Sequence, residues 1–284
     1  MHPAAPNTTR HEKGMVTIMN KFARYIKLYR IFAVQYMKTV LQSKVDFFVG
    51  LGGFLISQAA GLAFLYLVFE QIPSIQDWTL EQMLFIYGFA QIPRGLDHLL
   101  TDNLWMVGWQ MVIKGTFDKY ILRPMNIFFQ IICEKVQFDA VGELLIGLFF
   151  VGRAVVNGTV HLTLPRVIFF VISVIAGSVI YTSIKLVLAS IAFWIKNSSP
   201  LMTTLYDTAD FAKYPIEIYA RPIQIVLMTV LPFAFVAYIP STFFLVNANV
   251  WKTIGAECII ALVFWLFAYG VFKKGLTVYE SAGS

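Results

Sequence analysis

Apolar runs of about twenty residues, separated by short polar connections, set the pattern of this chain. A helix needs about 20 predominantly apolar residues to cross the hydrocarbon of a bilayer. The runs supply six such crossings, over residues 47–69, 83–105, 138–156, 167–194, 223–246 and 254–272. The fifth is interrupted by Pro232 and Pro240. Its last part, 241–246, is too short to cross and is expected to dip back from the outer surface as a short helix packed on protein. Ahead of the runs, Phe22, Ile26, Tyr29, Ala33, Tyr36, Met37 and Val40 recur at spacings of three and four, opposite Lys21, Arg24, Lys27, Gln35, Lys38 and Gln42. This periodicity predicts a helix over 21–44. A basic face opposite an aromatic one suits an interfacial helix on anionic lipid; the plainer reading is a helix packed on protein. Residues 1–20 are polar and are expected to form a disordered tail, leaving 21–284 as one membrane domain.

Composition supports lipid as the solvent. Of the 284 residues, 58% are hydrophobic and 13% charged, against about 25% charged in a soluble domain. The net charge of +6 raises nucleic acid as a partner, but the basic residues flank apolar runs instead of gathering on one face, so none is expected. Lys and Arg instead alternate between connections. Eight precede residue 46 and none lies between Glu70 and Met83; Lys114, Lys119, Arg123 and Lys135 follow the second run, whereas the next connection has only Arg153 and Arg166. Lys196, Lys213 and Arg221 are assigned to the next rich connection, and Lys273 and Lys274 follow the last run. The positive-inside bias then places both termini in the cytoplasm. The expected fold is an all-α integral membrane protein with six transmembrane helices and an N-terminal interfacial helix. Cys133 and Cys258 fall at opposite faces, which excludes a disulfide framework.

Chemistry-bearing motifs are absent. There is no G-x-x-x-x-G-K-[ST] phosphate cradle, no H-E-x-x-H and no G-x-S-x-G, and the four histidines make no metal-ligand spacing. The chain is expected to be no enzyme and to hold no cofactor itself. The ionisable residues inside the runs are the pathway candidates: Arg94, Asp97, His98, Asp102, Glu143 and Lys185. Arg94 and His98 stand one helical turn apart, as do Asp97 and Thr101, and read either as ion pairs fixing helix packing or as contacts to cargo. Glu143 and Lys185 each lie about 6 Å to the inner side of the midplane at 1.5 Å per residue. They are predicted to pair if their helices are neighbours; otherwise Lys185 snorkels to the inner surface. The same cluster leaves an ion- or proton-coupled secondary transporter as the alternative function, although no internal repeat accompanies it.

The most distinctive stretch follows the second run: Gly115-Thr116-Phe117-Asp118-Lys119-Tyr120-Ile121-Leu122-Arg123-Pro124. Phe117, Tyr120 and Ile121 at i, i+3 and i+4 predict one face of a short helix that anchors on a partner, with Asp118, Lys119 and Arg123 toward water and Pro124 as the stop. A plain amphipathic connector is the other reading. The run resembles the G-x-x-D-x-x-L-x-R-P stretch of permease subunits of type-two ATP-binding-cassette exporters, in a six-span subgroup, with Gly115, Asp118, Ile121, Arg123 and Pro124 on the pattern. Ile92 to Asp97, Asp102 to Trp105, Tyr214 to Tyr219 and Leu231 to Phe235 are similar to that subgroup as well, so the resemblance spans residues 21–275. It implies two permease subunits, the second a related but different chain, driven by two ATPase subunits that bind ATP and magnesium. It also implies that residues 115–124, Phe117 among them, are the coupling helix. The place implied is the bacterial cytoplasmic membrane, and the activity is export of an apolar or amphipathic substrate by alternating access.

Overall fold

The computed structural model describes residues 44–161 and 163–281, together with positions 31, 34, 35 and 38. The expected tail and nearly all of the expected helix over 21–44 lie outside the described residues; the four described positions of that helix are helical and exposed. Among the described residues every element is helical, and the one β-type contact is the isolated bridge between Ile75 and Trp78.

Helix α1 spans Lys44–Gln71 and is apolar on all sides; Phe48, Ile56 and Phe64 are exposed, the state of a helix solvated by lipid. One polar contact ties its middle to the bundle: Gln58 Oε1 accepts from Gln91 Nε2 at 2.7 Å and from the Tyr87 hydroxyl. Helix α2 (Leu80–Thr101) begins where the Thr79 N–H is taken by Gln82 Oε1 at 3.0 Å, half of a capping box. It continues through Leu104–Met106 into a π turn, Val107–Met111. Two short helices follow, α3 (Asp118–Ile121) and α4 (Ile127–Glu134). Helices α5 (Val141–Val156) and α6 (Leu164–Ile195) come next.

α2 and α5 run antiparallel and approach closely because glycines face each other. A Cβ on Gly147 would stand 2.8 Å from the Gly88 carbonyl and one on Gly88 2.5 Å from Phe150 Cβ. Such small residues let helices meet where lipid gives no hydrophobic drive to associate. α6 lies at the centre, between α2 and the last helix, α10 (Ala256–Val278). Pro93 leaves α2 one N–H short, and its carbonyl accepts Ser178 Oγ of α6 at 3.0 Å.

The chain after α6 departs from the expected path. Lys196 at φ +68° ends α6, and α7 (Ser199–Asp207) and a 3-10 segment, Thr208–Lys213, follow. The contacts of this stretch climb α2 in order. The Ser198 N–H donates to the Gly108 carbonyl at 2.8 Å; Asp210 pairs with Arg94; Lys213 Nζ lies 5.7 Å from the Tyr87 ring. Glu217 then accepts the Tyr238 hydroxyl, whose ring meets Trp78 edge-on at 5.8 Å. Residues 198–217 therefore travel the full length of α2, which is about 33 Å at 1.5 Å per residue. This stretch lies within the connection 195–222 expected from the sequence, the one that holds Lys196, Lys213 and Arg221.

The expected fifth span, 223–246, is sharply bent. Helix α8 (Arg221–Thr229) and the stretch Phe233–Leu245, which contains α9 (Tyr238–Leu245), meet at 73°. Pro232 sits at the bend, where it cannot donate to the α8 helix. Phe233 reaches only to Tyr181, midway along α6, at 5.5 Å between rings. The return brings Asn247 to Arg166, at the start of α6. The pair enters and leaves at one end of the bundle. By length and composition, Phe48–Gln71, Leu164–Ile195 and Trp251–Val278 are apolar enough to cross a membrane, with the bent pair a fourth if it is one span.

Candidate functional site

Two groups of expected residues fall in two places. The six ionisable candidates form one polar band where α2, α5, α6 and the climbing segment meet. The residues 115–124 form a tip at the end of the bundle where α6 finishes.

In the band, α2 presents two faces. Asp97 points at α6, fully buried. Its carboxylate pairs with Lys185 Nζ at 2.8 Å and accepts Thr101 Oγ1 at 2.6 Å and Thr182 Oγ1 at 2.8 Å. Lys185 also meets Asp102 at 3.3 Å. Both side chains of the central pair have 0% exposure, so each charge is held by the other and by hydroxyls, as a buried charge must be. The expected pair of Glu143 with Lys185 is replaced by this one. Equal depth made the two residues eligible, but α2 lies beside both helices and supplies a partner to each. Glu143 of α5 meets Arg94 Nε at 3.8 Å and His98 Nδ1 at 3.5 Å.

The second face of α2 carries Arg94, His98, Asp102 and, on the continuation, Trp105, in one stripe at steps of four, four and three. With Glu143 they line an open cavity of about 270 Å³. His98 Nε2 is 3.9 Å from Asp102. Arg94 is also held by Asp210, which pairs in turn with Lys213 at 2.9 Å. Asp210 and Lys213 were not among the sequence candidates. They were read as part of a solvated connection, and no local signal marks them as partners of Arg94. Among the described residues no group of histidine, cysteine and carboxylate side chains could hold a metal ion.

At the tip, Gly115 takes φ +65°, which turns the chain into α3. The expected partner-facing side chains point the other way. Phe117 and Tyr120 are completely buried, Phe117 packing 5.0 Å from the Phe193 ring and 5.1 Å from the Tyr279 ring. Asp118 accepts the hydroxyls of Tyr279, at 2.9 Å, and Ser281. Burial and that hydrogen bond push the Tyr279 hydroxyl up to about 12. The Tyr120 hydroxyl donates to Glu134 at 2.6 Å and Lys119 pairs with the same carboxylate. Burial first, then this carboxylate, raises Tyr120 above the ordinary phenol range. One helical turn has too few residues for its apolar side to declare which neighbour it faces. The outward side is the next one: Ile121, Leu122, Arg123 and Pro124 are exposed, Leu122 by 83%.

The arrangement thus combines a buried charged band inside an apolar bundle with a rigid, apolar and basic tip at one end. The open cavity beside α2 and the exposed tip are its two candidate sites. The family model described as ABC-2 family transporter protein matches residues 55–283. No curated protein and no solved structure matches the chain. With four-fifths of its length covered by that model, the chain belongs to the ABC-2 transporters, as a multi-pass membrane permease of the ATP-binding-cassette class.

Proposed function

We propose that this permease works in a complex of two permease and two ATPase subunits, and that the tip Ile121 to Pro124 is the part that enters the ATPase. The observation that carries this reading is the orientation of the tip. Leu122 is exposed on a turn that Phe117, Tyr120, Asp118 and Glu134 hold rigidly from behind. A large apolar residue kept in water by a fixed support, next to Arg123, is what a protein partner buries as an anchor. ATP and magnesium belong to that partner. The second permease is a related but different chain, the site is the bacterial cytoplasmic membrane, and the cargo is apolar or amphipathic and exported by alternating access.

The path of the chain supports six passages, made by α1, α2, α5, α6, residues 199–217 and α10, with both termini in the cytoplasm. On this reading the bent pair α8–α9 belongs to the outer side. The test of coupling compares two variants. Leu122→Asp is expected to leave the permease folded and to reduce co-purified ATPase by about tenfold, the loss of one anchor worth near 1.4 kcal/mol or more. Phe117→Ala is expected to lower the stability of the permease itself by about 3–5 kcal/mol, as the loss of a buried phenylalanine does. If Leu122→Asp retains its full ATPase content, the tip is not the docking element.

A further inference from the structure

Within the run 115–124, Asp118 has no part in the exposed surface of Ile121 to Pro124. Both of its carboxylate oxygens are taken by the chain at the end of α10. Oδ1 accepts the Tyr279 hydroxyl at 2.9 Å, and Oδ2 accepts the Ser281 hydroxyl. The connection that carries the tip is fastened to α10 at further points. Asn126 Nδ2 donates to the Tyr269 hydroxyl at 3.0 Å. The Phe128 ring stands 5.2 Å from Trp265 and 6.4 Å from Phe272. Trp265, Tyr269, Phe272 and Tyr279 follow at steps of four, three and seven, which puts them along one face. That face extends over about 20 Å at 1.5 Å per residue. Gly275 lets the same stretch lie against α6, since a Cβ there would collide with the Phe193 ring.

We propose that Asp118 is a positioning residue that clasps the tip to α10, so that tip and α10 move as one body when the ATPase subunits close. The proposal rests on the docking of the tip and adds the element that receives the motion. A displacement at Leu122 reaches the membrane through whatever moves with the tip. The contacts above join both parts of the connection, Phe117 with Asp118 and Asn126 with Phe128, to a single helix. Closely packed rings pass a displacement on, because a packed interior is hardly compressible. α10 in turn lies along α6, and α6 carries Lys185 to its pair with Asp97. The order ATPase, tip, α10, α6 thus links a cytoplasmic partner with the buried half of the polar band.

The test uses the full permease–ATPase complex in lipid nanodiscs, with the native Cys258 as reporter. Cys258 is half-buried near the far end of α10, about 30 Å from Tyr279 at 1.5 Å per residue. Its rate of alkylation by N-ethylmaleimide is read by peptide mass spectrometry. The nucleotide-free complex is compared with the complex trapped by ATP, magnesium and vanadate. In the wild type, trapping is expected to change the rate by about fivefold or more, the lower range of coupling between sites. Tyr279→Phe combined with Ser281→Ala removes both donors and keeps the ring beside Phe117 and Phe193. This variant is expected to keep its ATPase content and to respond by less than about twofold. It folds because Asp118 is half-buried, so water replaces the lost hydroxyls. Asp118→Ala cuts the clasp from the other side and is expected to lose the response as well, whereas Ser281→Thr, which keeps a hydroxyl, responds like the wild type. An unresponsive wild type would overturn the proposal, as would a response kept in either clasp variant or lost in Ser281→Thr. Loss of ATPase content in the double variant would overturn it too, since the clasp would then only shape the docking surface. Docking itself is decided by Leu122→Asp, and a clasp that fails with normal ATPase content leaves that reading standing.

Discussion

Replacing Asp97 or Lys185 probes the closed half of the band most directly. Asp97 receives three donors within 2.8 Å, from Thr101, Thr182 and Lys185. Asp97→Asn keeps an oxygen for the hydroxyls but removes the charge 2.8 Å from Lys185, whose other carboxylate, Asp102, stands farther off at 3.3 Å. A hydrogen bond to a charged group contributes about 1.5–3 kcal/mol, so the single change is expected to cost about 2–3 kcal/mol. Lys185→Met is expected to cost more, about 3–5 kcal/mol, because it strands Asp97 and Asp102 as two neighbouring carboxylates. The double variant removes the central pair from both sides, and a pair exchanged for neutral groups is often close to neutral. Its cost is therefore expected to fall short of the sum by about 2 kcal/mol or more. The assay is the unfolding free energy of the purified permease in mixed micelles, measured for the four members of the cycle. Additive costs would refute the pairing. The same cycle for Glu143 and Lys185 is expected to show a smaller coupling than that of Asp97 with Lys185, since these two are linked only through His98 and Asp102.

Two further outcomes follow from the packing and the path. Gly147→Leu is expected to abolish stable permease, because even a Cβ there would stand 2.8 Å from the Gly88 carbonyl and 2.5 Å from Ile92 Cγ1; recovery of normal yield would mean that α2 and α5 are farther apart. A cysteine in place of Arg221 is expected to react from outside with a reagent that cannot cross the membrane, like cysteines at Ser74 or Gly158, whereas cysteines at Lys119 and Ser281 react only after the membrane is opened. The native Cys133 gives little background, since burial pushes its thiol up to about 12 and a protonated thiol is a poor nucleophile. Reaction of the Arg221 cysteine only after opening would restore the polar stretch 195–222 to the cytoplasm.

Much of this molecule follows from residue order alone. The helices α1, α5, α6 and α10 coincide with apolar runs, because a segment in lipid must satisfy its backbone internally and cover itself with hydrocarbon, both of which are local properties. The ionisable residues of the second and fourth runs mark the polar band for the same reason: a charge in a run of hydrocarbon cannot be filler. Partner choice is not local. Depth along a helix was readable for Glu143 and Lys185, but the direction each faces depends on how α5 and α6 rotate against α2. Phe117 and Tyr120 illustrate this at smaller scale: their spacing defined a face, and only the presence of Phe193 and Tyr279 behind it decided that the face turns inward. The course of residues 198–217 along α2 was hidden most completely. Its Asp210 is compensated by Lys213 and by Arg94, a residue more than a hundred positions away. Hydropathy counts such groups one at a time, while tertiary structure brings Asp210, still more than half exposed, against Arg94 of α2, and that partner is set by packing between segments far apart in sequence.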